Sequence, residues 1–207
     1  MLPDNRRILL GLAGGHSVEL RSLDPDARIW GGSIEKGYAN SVALDREGRV
    51  AVSGHSNGTL GLWDIESGDC LASWQAHSDQ IRSVQITRDG RFALSGSADH
   101  TIKLWNLATH ECMGTLEGHQ SEVKSIAFSP DDTLLASAGF TDHTVRLWER
   151  ESGACLQTIE PPAIEIPIST TFSPDGSRLA VGTTEGTIFI YRIHRQSSQL
   201  KPQVVDL

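Results

Sequence analysis

The chain has 207 residues, of which 38% are hydrophobic and 21% are charged, so collagen-like and largely disordered classes are excluded. A formal net charge of −8 without a basic stripe argues against a nucleic-acid-binding protein. No apolar run approaches the roughly 18–20 residues of a membrane-spanning helix, and we expect a soluble, cytoplasmic protein that does not bind membranes.

The first residues, MLPDNRRILLGLAGG, place two arginines before an apolar run, as a signal peptide does. Gly11 interrupts this run and Asp4 precedes it, so export by this segment is disfavoured. The region instead predicts short strands at residues 8–13, 18–23 and 29–34. Because LPDNRR aligns with the later turn SPDGSR, we expect the first residues to form a turn that lacks the strand normally preceding it.

The rest of the chain repeats itself with a period of 42 to 43 residues, seen first in the aromatic positions Trp63, Trp105, Trp148 and Tyr191. Three cysteines, at positions 70, 112 and 155, keep the same spacing. The turns DREG, RDG, SPDD and SPDG recur in the same phase. Such a period is typical of a repeat protein in which each unit is one supersecondary structure.

The clearest unit predicts four short strands, at residues 81–87, 92–97, 101–107 and 112–116. Alternating apolar residues and bounding Gly, Asp and Asn residues are the pattern of consecutive hairpins. A single four-stranded sheet cannot cover both of its own faces. The copies are therefore expected to stack face to face.

The segment GH…SGSADHTIKLWNL resembles the WD40 repeat, whose units form the blades of a β-propeller. The literal Trp-Asp pair occurs only at Trp63-Asp64, yet the resemblance covers almost the whole chain. It implies an all-β propeller of about five blades with four antiparallel strands each. The predicted units are an incomplete first blade (1–40), three full blades (41–80, 81–122, 123–166), a partial last blade (167–194) and a tail (195–207) with a candidate edge strand.

Three ways of completing such a propeller remain open. The chain can close as a compact five-bladed ring, can associate with another chain, or can be the C-terminal part of a longer propeller protein. An open stack would expose an unpaired inner edge and an apolar blade face. These liabilities favour truncation or descent from a longer propeller, and self-association stays among the expectations.

The resemblance also implies a buried hydrogen-bonded set that links a loop histidine, a strand serine or threonine, a turn aspartate and the repeated tryptophan. In the clearest unit the matching residues are His77, Ser97, Asp99 and Trp105. Histidine, serine and aspartate also make up a hydrolase triad. The set recurs in part in the next unit and no Gly-x-Ser-x-Gly elbow is present, which favours a structural role.

The other units depart from this pattern. The next unit keeps His119, Asp142 and Trp148, but SAGFTDHT has one residue more than SGSADHT, which leaves its serine unassigned and Phe140 either exposed or tucked in. The first complete unit has His55 and Asn57 at the serine and aspartate positions. The last has Thr183, Glu185 and Tyr191 and no matching histidine, so we expect these two units to be less rigid than the central pair.

No metal, cofactor or phosphate site is predicted. No Cys-x₂-Cys or His-x₃-His spacing occurs, and no phosphate-binding glycine loop is present. The cysteines are one blade apart, too far to share an ion or a disulfide, and are expected to be reduced and semi-buried.

The predicted function is a non-catalytic scaffold or sensor module that binds protein partners. In the family the face with the Gly-His loops often binds partners, and the matching positions here are Gln80, Arg82, Glu122, Lys124 and Phe140. Bacterial WD40 arrays, which the chain resembles, are often attached to signalling enzymes. The alternatives are an enzyme with a site in the central channel and a truncated remnant of a larger signalling protein.

Overall fold

The computed structural model describes residues 1–12, 18–34, 37–161, 165–193 and 204–205. In these ranges every regular element is a β-strand, and the strands form five antiparallel sheets. The predicted all-β architecture of about five blades is confirmed. We call the sheets blade 1 (β1–β3), blade 2 (β4–β7), blade 3 (β8–β11), blade 4 (β12–β15) and blade 5 (β16–β19).

The strands follow chain order within each blade. Their bounds are β1 Arg7–Gly11, β2 Val18–Leu23, β3 Asp26–Gly32, β4 Ala39–Leu44, β5 Val50–His55, β6 Thr59–Asp64, β7 Cys70–Gln75, β8 Ile81–Ile86, β9 Phe92–Ser97, β10 Ile102–Asn106, β11 Cys112–Leu116, β12 Val123–Phe128, β13 Leu134–Gly139, β14 Val145–Glu149, β15 Cys155–Ile159, β16 Pro167–Phe172, β17 Arg178–Thr183, β18 Ile188–Arg192 and β19 Val204–Val205.

Blade 1 has three strands in the described part of the chain, as predicted for an incomplete first blade. Its last strand begins at Asp26 rather than at residue 29, because a tight turn at residues 24–25 lets β3 pair with β2 at once. Blade 2 begins at Ala39, ahead of the predicted boundary at residue 41. The short strand β19 pairs with β18 at the outer edge of blade 5.

The blades pack face to face through their first strands, since β4 contacts β8, β8 contacts β12, and β12 contacts β16. Second strands such as β9 and β13 are almost wholly buried, whereas the fourth strands β7 and β11 are largely exposed. A strand that lies between two neighbouring sheets is covered on both faces, which explains the small and apolar residues of FALSGS and LLASAG. The blades therefore follow one another in an arc. The first strands lie on the inner side of this arc, and the fourth strands form its outer rim.

Candidate functional site

A buried hydrogen-bonded set joins the loop before β8 to the strands of blade 3. Nδ1 of His77 lies 2.8 Å from Oδ2 of Asp99, and Nε2 lies 2.7 Å from Oγ of Ser95. The indole N–H of Trp105 donates to the same serine oxygen at 2.9 Å. Because an ionised carboxylate only accepts, Nδ1 donates to Asp99 and Nε2 accepts the serine proton. The set satisfies every polar side-chain atom of the histidine and of the tryptophan.

The serine of this set is Ser95, and the prediction of Ser97 was wrong. The hydroxyl of Ser97 donates instead to the backbone carbonyls of Asp79 and Gln80, at 3.2 and 3.0 Å. It also accepts the backbone N–H of Asp99 at 3.1 Å. Ser97 therefore holds the loop before β8 against the turn after β9. The two serines lie on the same side of β9, but only Ser95 reaches the indole.

Blade 4 repeats the set with His119, Asp142, Ser137 and Trp148. His119 lies 2.8 Å from Asp142 and 2.7 Å from Ser137, and Trp148 donates to Ser137 at 2.8 Å. The additional residue of this blade lies in the turn between β13 and β14 and leaves the set intact. Ser53, Ser95 and Ser137 recur every 42 residues, a signal in the sequence that identifies the correct serine.

Blade 2 builds a smaller set with a histidine from a different position. His55 lies on β5 itself, and its Nε2 is 2.7 Å from Oγ of Ser53, to which Trp63 donates at 2.7 Å. The ring thus occupies the place that a loop histidine takes in blades 3 and 4. Burial lowers the pKa of His55 to about 4, against an opposing effect of the Gly37 backbone.

Blade 5 lacks the set in its described residues. Val181 takes the serine position, and the hydroxyl of Tyr191 is buried without a hydrogen-bond partner among the described residues. Burial raises the pKa of this tyrosine. Glu165 instead accepts hydrogen bonds from the hydroxyls of Thr183 and Thr187, at 2.5 and 2.9 Å. Sequence reasoning missed this glutamate, because no repeat partner marks it.

The electrostatics of the two complete sets keep the carboxylates ionised. Burial alone would raise the pKa of Asp142, but hydrogen bonds from His119 and from backbone N–H groups lower it to about 2. Burial likewise opposes ionisation of Asp99, and the Thr101 and His77 hydrogen bonds lower its pKa. Burial also lowers the pKa of His77, so the neutral imidazole is favoured beside an ionised aspartate.

The Ser95–His77–Asp99 geometry is that of a catalytic triad, but its location excludes that use. Ser95 is 0% exposed, and its oxygen also accepts the indole N–H of Trp105. A nucleophile must be reachable by a substrate carbonyl, whereas the hydroxyl of Ser95 is buried between His77 and Trp105. The set therefore stabilises the blade.

A second constellation lies where β8 and β12 begin, and it joins two blades at the surface. Nε of Arg82 donates to Oε2 of Glu122 at 2.8 Å, and Nζ of Lys124 lies 2.8 Å from Oε1. The ammonium of Lys124 lies 4.5 Å from the ring centre of Phe140, a cation–π contact. Burial raises the pKa of Glu122, but Lys124 and Arg82 lower it by more, so the pKa lies below its usual value.

We call Gln80, Arg82, Glu122, Lys124 and Phe140 the interblade patch. All five side chains are partly buried, so Phe140 is neither fully exposed nor fully tucked in. Four of them line a shallow depression of about 540 Å³ together with the turn after β9. Lys124 lies beside it, under the Phe140 ring.

The cysteines differ from expectation in exposure. Cys70, Cys112 and Cys155 are unpaired but exposed rather than semi-buried, because each begins a fourth strand on the rim. Within the described ranges, no group of three or more His, Cys, Asp or Glu side chains is placed to hold a metal ion. The same part of the chain contains no helix of the length and apolarity needed to cross a bilayer.

Successive antiparallel blades, of which blades 2, 3 and 4 are each centred on a buried serine–tryptophan contact, define a β-propeller of repeated units. The family model described as "WD domain, G-beta repeat" matches residues 68–106, 110–149 and 153–192, which are more than half of the chain. The chain belongs to the WD40-repeat family, as the sequence predicts.

Two comparisons place the chain among known proteins. It is 33% identical over 68 residues to the WD repeat-containing protein 91 homolog of Dictyostelium discoideum, a match that covers 33% of this chain and 8% of that protein. It also superposes on a chain of the crystal structure of the mitotic checkpoint complex with a TM-score of 0.84 and 22% identity. That match covers 97% of this chain and 63% of the other, and it shows the fold alone.

Proposed function

We propose that this chain is a non-catalytic scaffold or sensor module that binds a protein partner in the cytoplasm through the interblade patch. WD40 repeats typically serve as protein-interaction scaffolds, and rigid blades present surface loops at fixed positions. The partner would bind at the face where the first strands of blades 3 and 4 begin.

The observation that carries this proposal is the contact between Arg82 of blade 3 and Glu122 of blade 4. Arg82 and Lys124 each lie 2.8 Å from one of the two carboxylate oxygens of Glu122. The patch is therefore ordered before a partner arrives. Preorganisation lowers the entropic cost of binding. Arg82 and Phe140 line one shallow depression, and arginine and aromatic residues are enriched at protein interfaces.

The patch favours a partner segment of mixed chemistry. Arg82 uses Nε for Glu122, and its terminal nitrogens have no partner among the described residues. A carboxylate of the partner can accept from these nitrogens in the two-pronged geometry that arginine favours. Phe140 lines the same depression as Arg82 and offers an apolar contact. A partner segment with an acidic residue next to an apolar one would therefore fit this depression.

The experiment is affinity capture from source-cell lysate, followed by titration of the recovered partner. The double variant Arg82→Ala/Phe140→Ala should weaken saturable binding at least about tenfold. Arg91→Ala is the matched control, because Arg91 is an arginine beside an aromatic ring, that of Phe92, at the other end of blade 3. Thermal unfolding of all variants verifies that the fold is retained.

Two results would contradict the proposal. One is repeated capture without any saturable partner. The other is a partner whose affinity falls equally in the control and in the double variant, since this would place binding outside the interblade patch.

A further inference from the structure

Blades also meet at the outer rim, where the outer strand of one blade lies against the turn that precedes the outer strand of the next. At the junction of blades 1 and 2, the indole of Trp30 packs over Gly68, since a Cβ there would come within 2.7 Å of the ring. Its N–H donates to the carbonyl of Ile65 in the same turn at 2.9 Å. At the junction of blades 2 and 3, the indole of Trp74 stacks on the ring of His110, with ring centres 5.0 Å apart. A tryptophan of the outer strand therefore covers both junctions.

The junction of blades 3 and 4 has no tryptophan at either position. On β11, Gly114 stands at the register of Trp30, and Leu116 stands at that of Trp74. In the turn of blade 4, Gly153 takes the place that the histidine ring has in blade 3. Smaller residues thus replace every ring that covers the other two junctions.

The structure leaves a cavity of about 180 Å³ at this junction, which we call the rim cavity. A Cβ at Gly114 would meet no described atom within 4 Å, so the free space begins at the backbone of β11. An apolar cavity of roughly 150 Å³ accommodates a benzene ring. The rim cavity is therefore large enough for one aromatic ring. Its apolar lining comes from both blades and consists of Leu94, Leu104, Met113, Leu116 and Leu135.

The polar part of the lining matches an indole. Arg150 lines the rim cavity and stands in its turn where Ile65 stands in blade 2. The carbonyl of Ile65 is the group that accepts the indole N–H of Trp30. The carbonyl of Arg150 can accept from an entering indole in the same way, which favours tryptophan over other aromatic residues.

The strand beside the rim cavity indicates where such an indole would come from. β11 is the last strand of its sheet, and four of its five residues are exposed. An exposed strand edge can pair with an extended segment of another chain. An aromatic residue on a neighbouring strand also covers an edge glycine well. An extended segment along β11 would therefore place an aromatic side chain over Gly114.

We propose that the rim cavity between blades 3 and 4 binds a tryptophan side chain from an extended segment of a protein partner. The indole would take the place that Trp30 and Trp74 occupy at the other two junctions. This site is separate from the interblade patch, because it lies on the outer rim and the patch lies where the first strands begin. Loss of one site therefore leaves the other to be tested by itself.

The experiment titrates the whole chain with a short capped peptide of threonine and serine that carries one central tryptophan. Methyl signals of Met113 and Leu116 in nuclear magnetic resonance spectra should shift and saturate. An aromatic side chain buries about 150–250 Å², which corresponds to a dissociation constant in roughly the millimolar range or below. The same peptide with alanine in place of tryptophan, and free indole, should each bind at least about tenfold more weakly.

Two variants fill the rim cavity from within. Gly114→Trp copies Trp30 and Leu116→Trp copies Trp74, and each should weaken binding of the tryptophan peptide at least about tenfold. Leu71→Trp is the matched control, because Leu71 is 55% exposed on the outer strand of blade 2. This control should leave the affinity unchanged. Circular dichroism and thermal unfolding verify the fold of each variant.

Four results would overturn the proposal. The first is the absence of saturable shifts at Met113 and Leu116, and the second is equal affinity for the tryptophan and alanine peptides. The third is free indole that binds as tightly as the peptide, since the occupant would then be a small aromatic molecule. The fourth is a folded Gly114→Trp or Leu116→Trp variant that binds the peptide as tightly as the control does.

Discussion

Replacement of Ser95 by alanine tests the buried set most directly. The substitution removes the partner of His77 Nε2 and of Trp105 Nε1 at a position that is 0% exposed. Each buried polar group left unsatisfied costs about 1–3 kcal/mol. We therefore expect Ser95→Ala to lower the free energy of unfolding by about 2–4 kcal/mol.

Ser97→Ala is the matched comparison in the same strand. The hydroxyl of Ser97 donates to two carbonyls, but that of Gln80 also accepts the N–H of Ala98 at 2.8 Å. Removal of the hydroxyl also leaves the N–H of Asp99 and the carbonyl of Asp79 without this partner, but both contacts are only partly buried and water can replace them, so we expect a loss of about 1 kcal/mol.

Urea unfolding at neutral pH, followed by tryptophan fluorescence and circular dichroism, measures both variants. The denaturant slope should stay constant so that shifts in the midpoint report stability. Ser137→Ala should match Ser95→Ala, because Ser137 makes the same two contacts in blade 4. The reasoning fails if Ser97→Ala costs as much as Ser95→Ala.

Three further predictions concern the blades that depart from the pattern. Burial lowers the pKa of His55 from 6.5 to about 4, so the unfolded chain takes up the proton first and stability is lost as the pH falls through this window. Urea unfolding should show that the free energy of unfolding falls by about 2 kcal/mol between about pH 7.5 and about pH 5. His55→Asn should lack this pH-dependent loss. Tyr191→Phe should raise the free energy of unfolding by up to about 1 kcal/mol, because it removes a buried hydroxyl without a described partner, and a clear loss in thermal unfolding would contradict this. Native-state hydrogen exchange should protect the amides of β9 and β13 more than those of β5 and β17, whereas equal protection would refute the difference in rigidity.

Much of the fold can be read from the sequence, because each blade is a local structure. Consecutive strands pair within a few residues of one another, so the alternation and the turns of a blade are written in one short segment. The period shared by Trp63, Trp105 and Trp148 then indicates how the segments follow one another. The five residues of the interblade patch were named from a resemblance to the family, and their role in binding a partner stays a prediction.

The 42-residue recurrence of Ser53, Ser95 and Ser137 favours Ser95 over Ser97, but only the structure shows which of the two makes the contact. Both side chains lie on one side of β9, two residues apart, and only the distance to the indole of Trp105 separates them. His55 is a similar case, because its ring reaches from a strand the place that a loop residue fills elsewhere. Residue type and spacing do not encode such distances.

The sequence by itself determined the repeated four-stranded unit, its period and its buried tryptophans, since these depend on local pairing and on alternation. The tertiary structure alone decided which equivalent positions are covered. Ile102 and Ile188 occupy the same place in their blades, yet one is 0% and the other 59% exposed. The physical reason is that burial depends on the sheet that lies opposite, and the pattern within a strand carries no information about that neighbour.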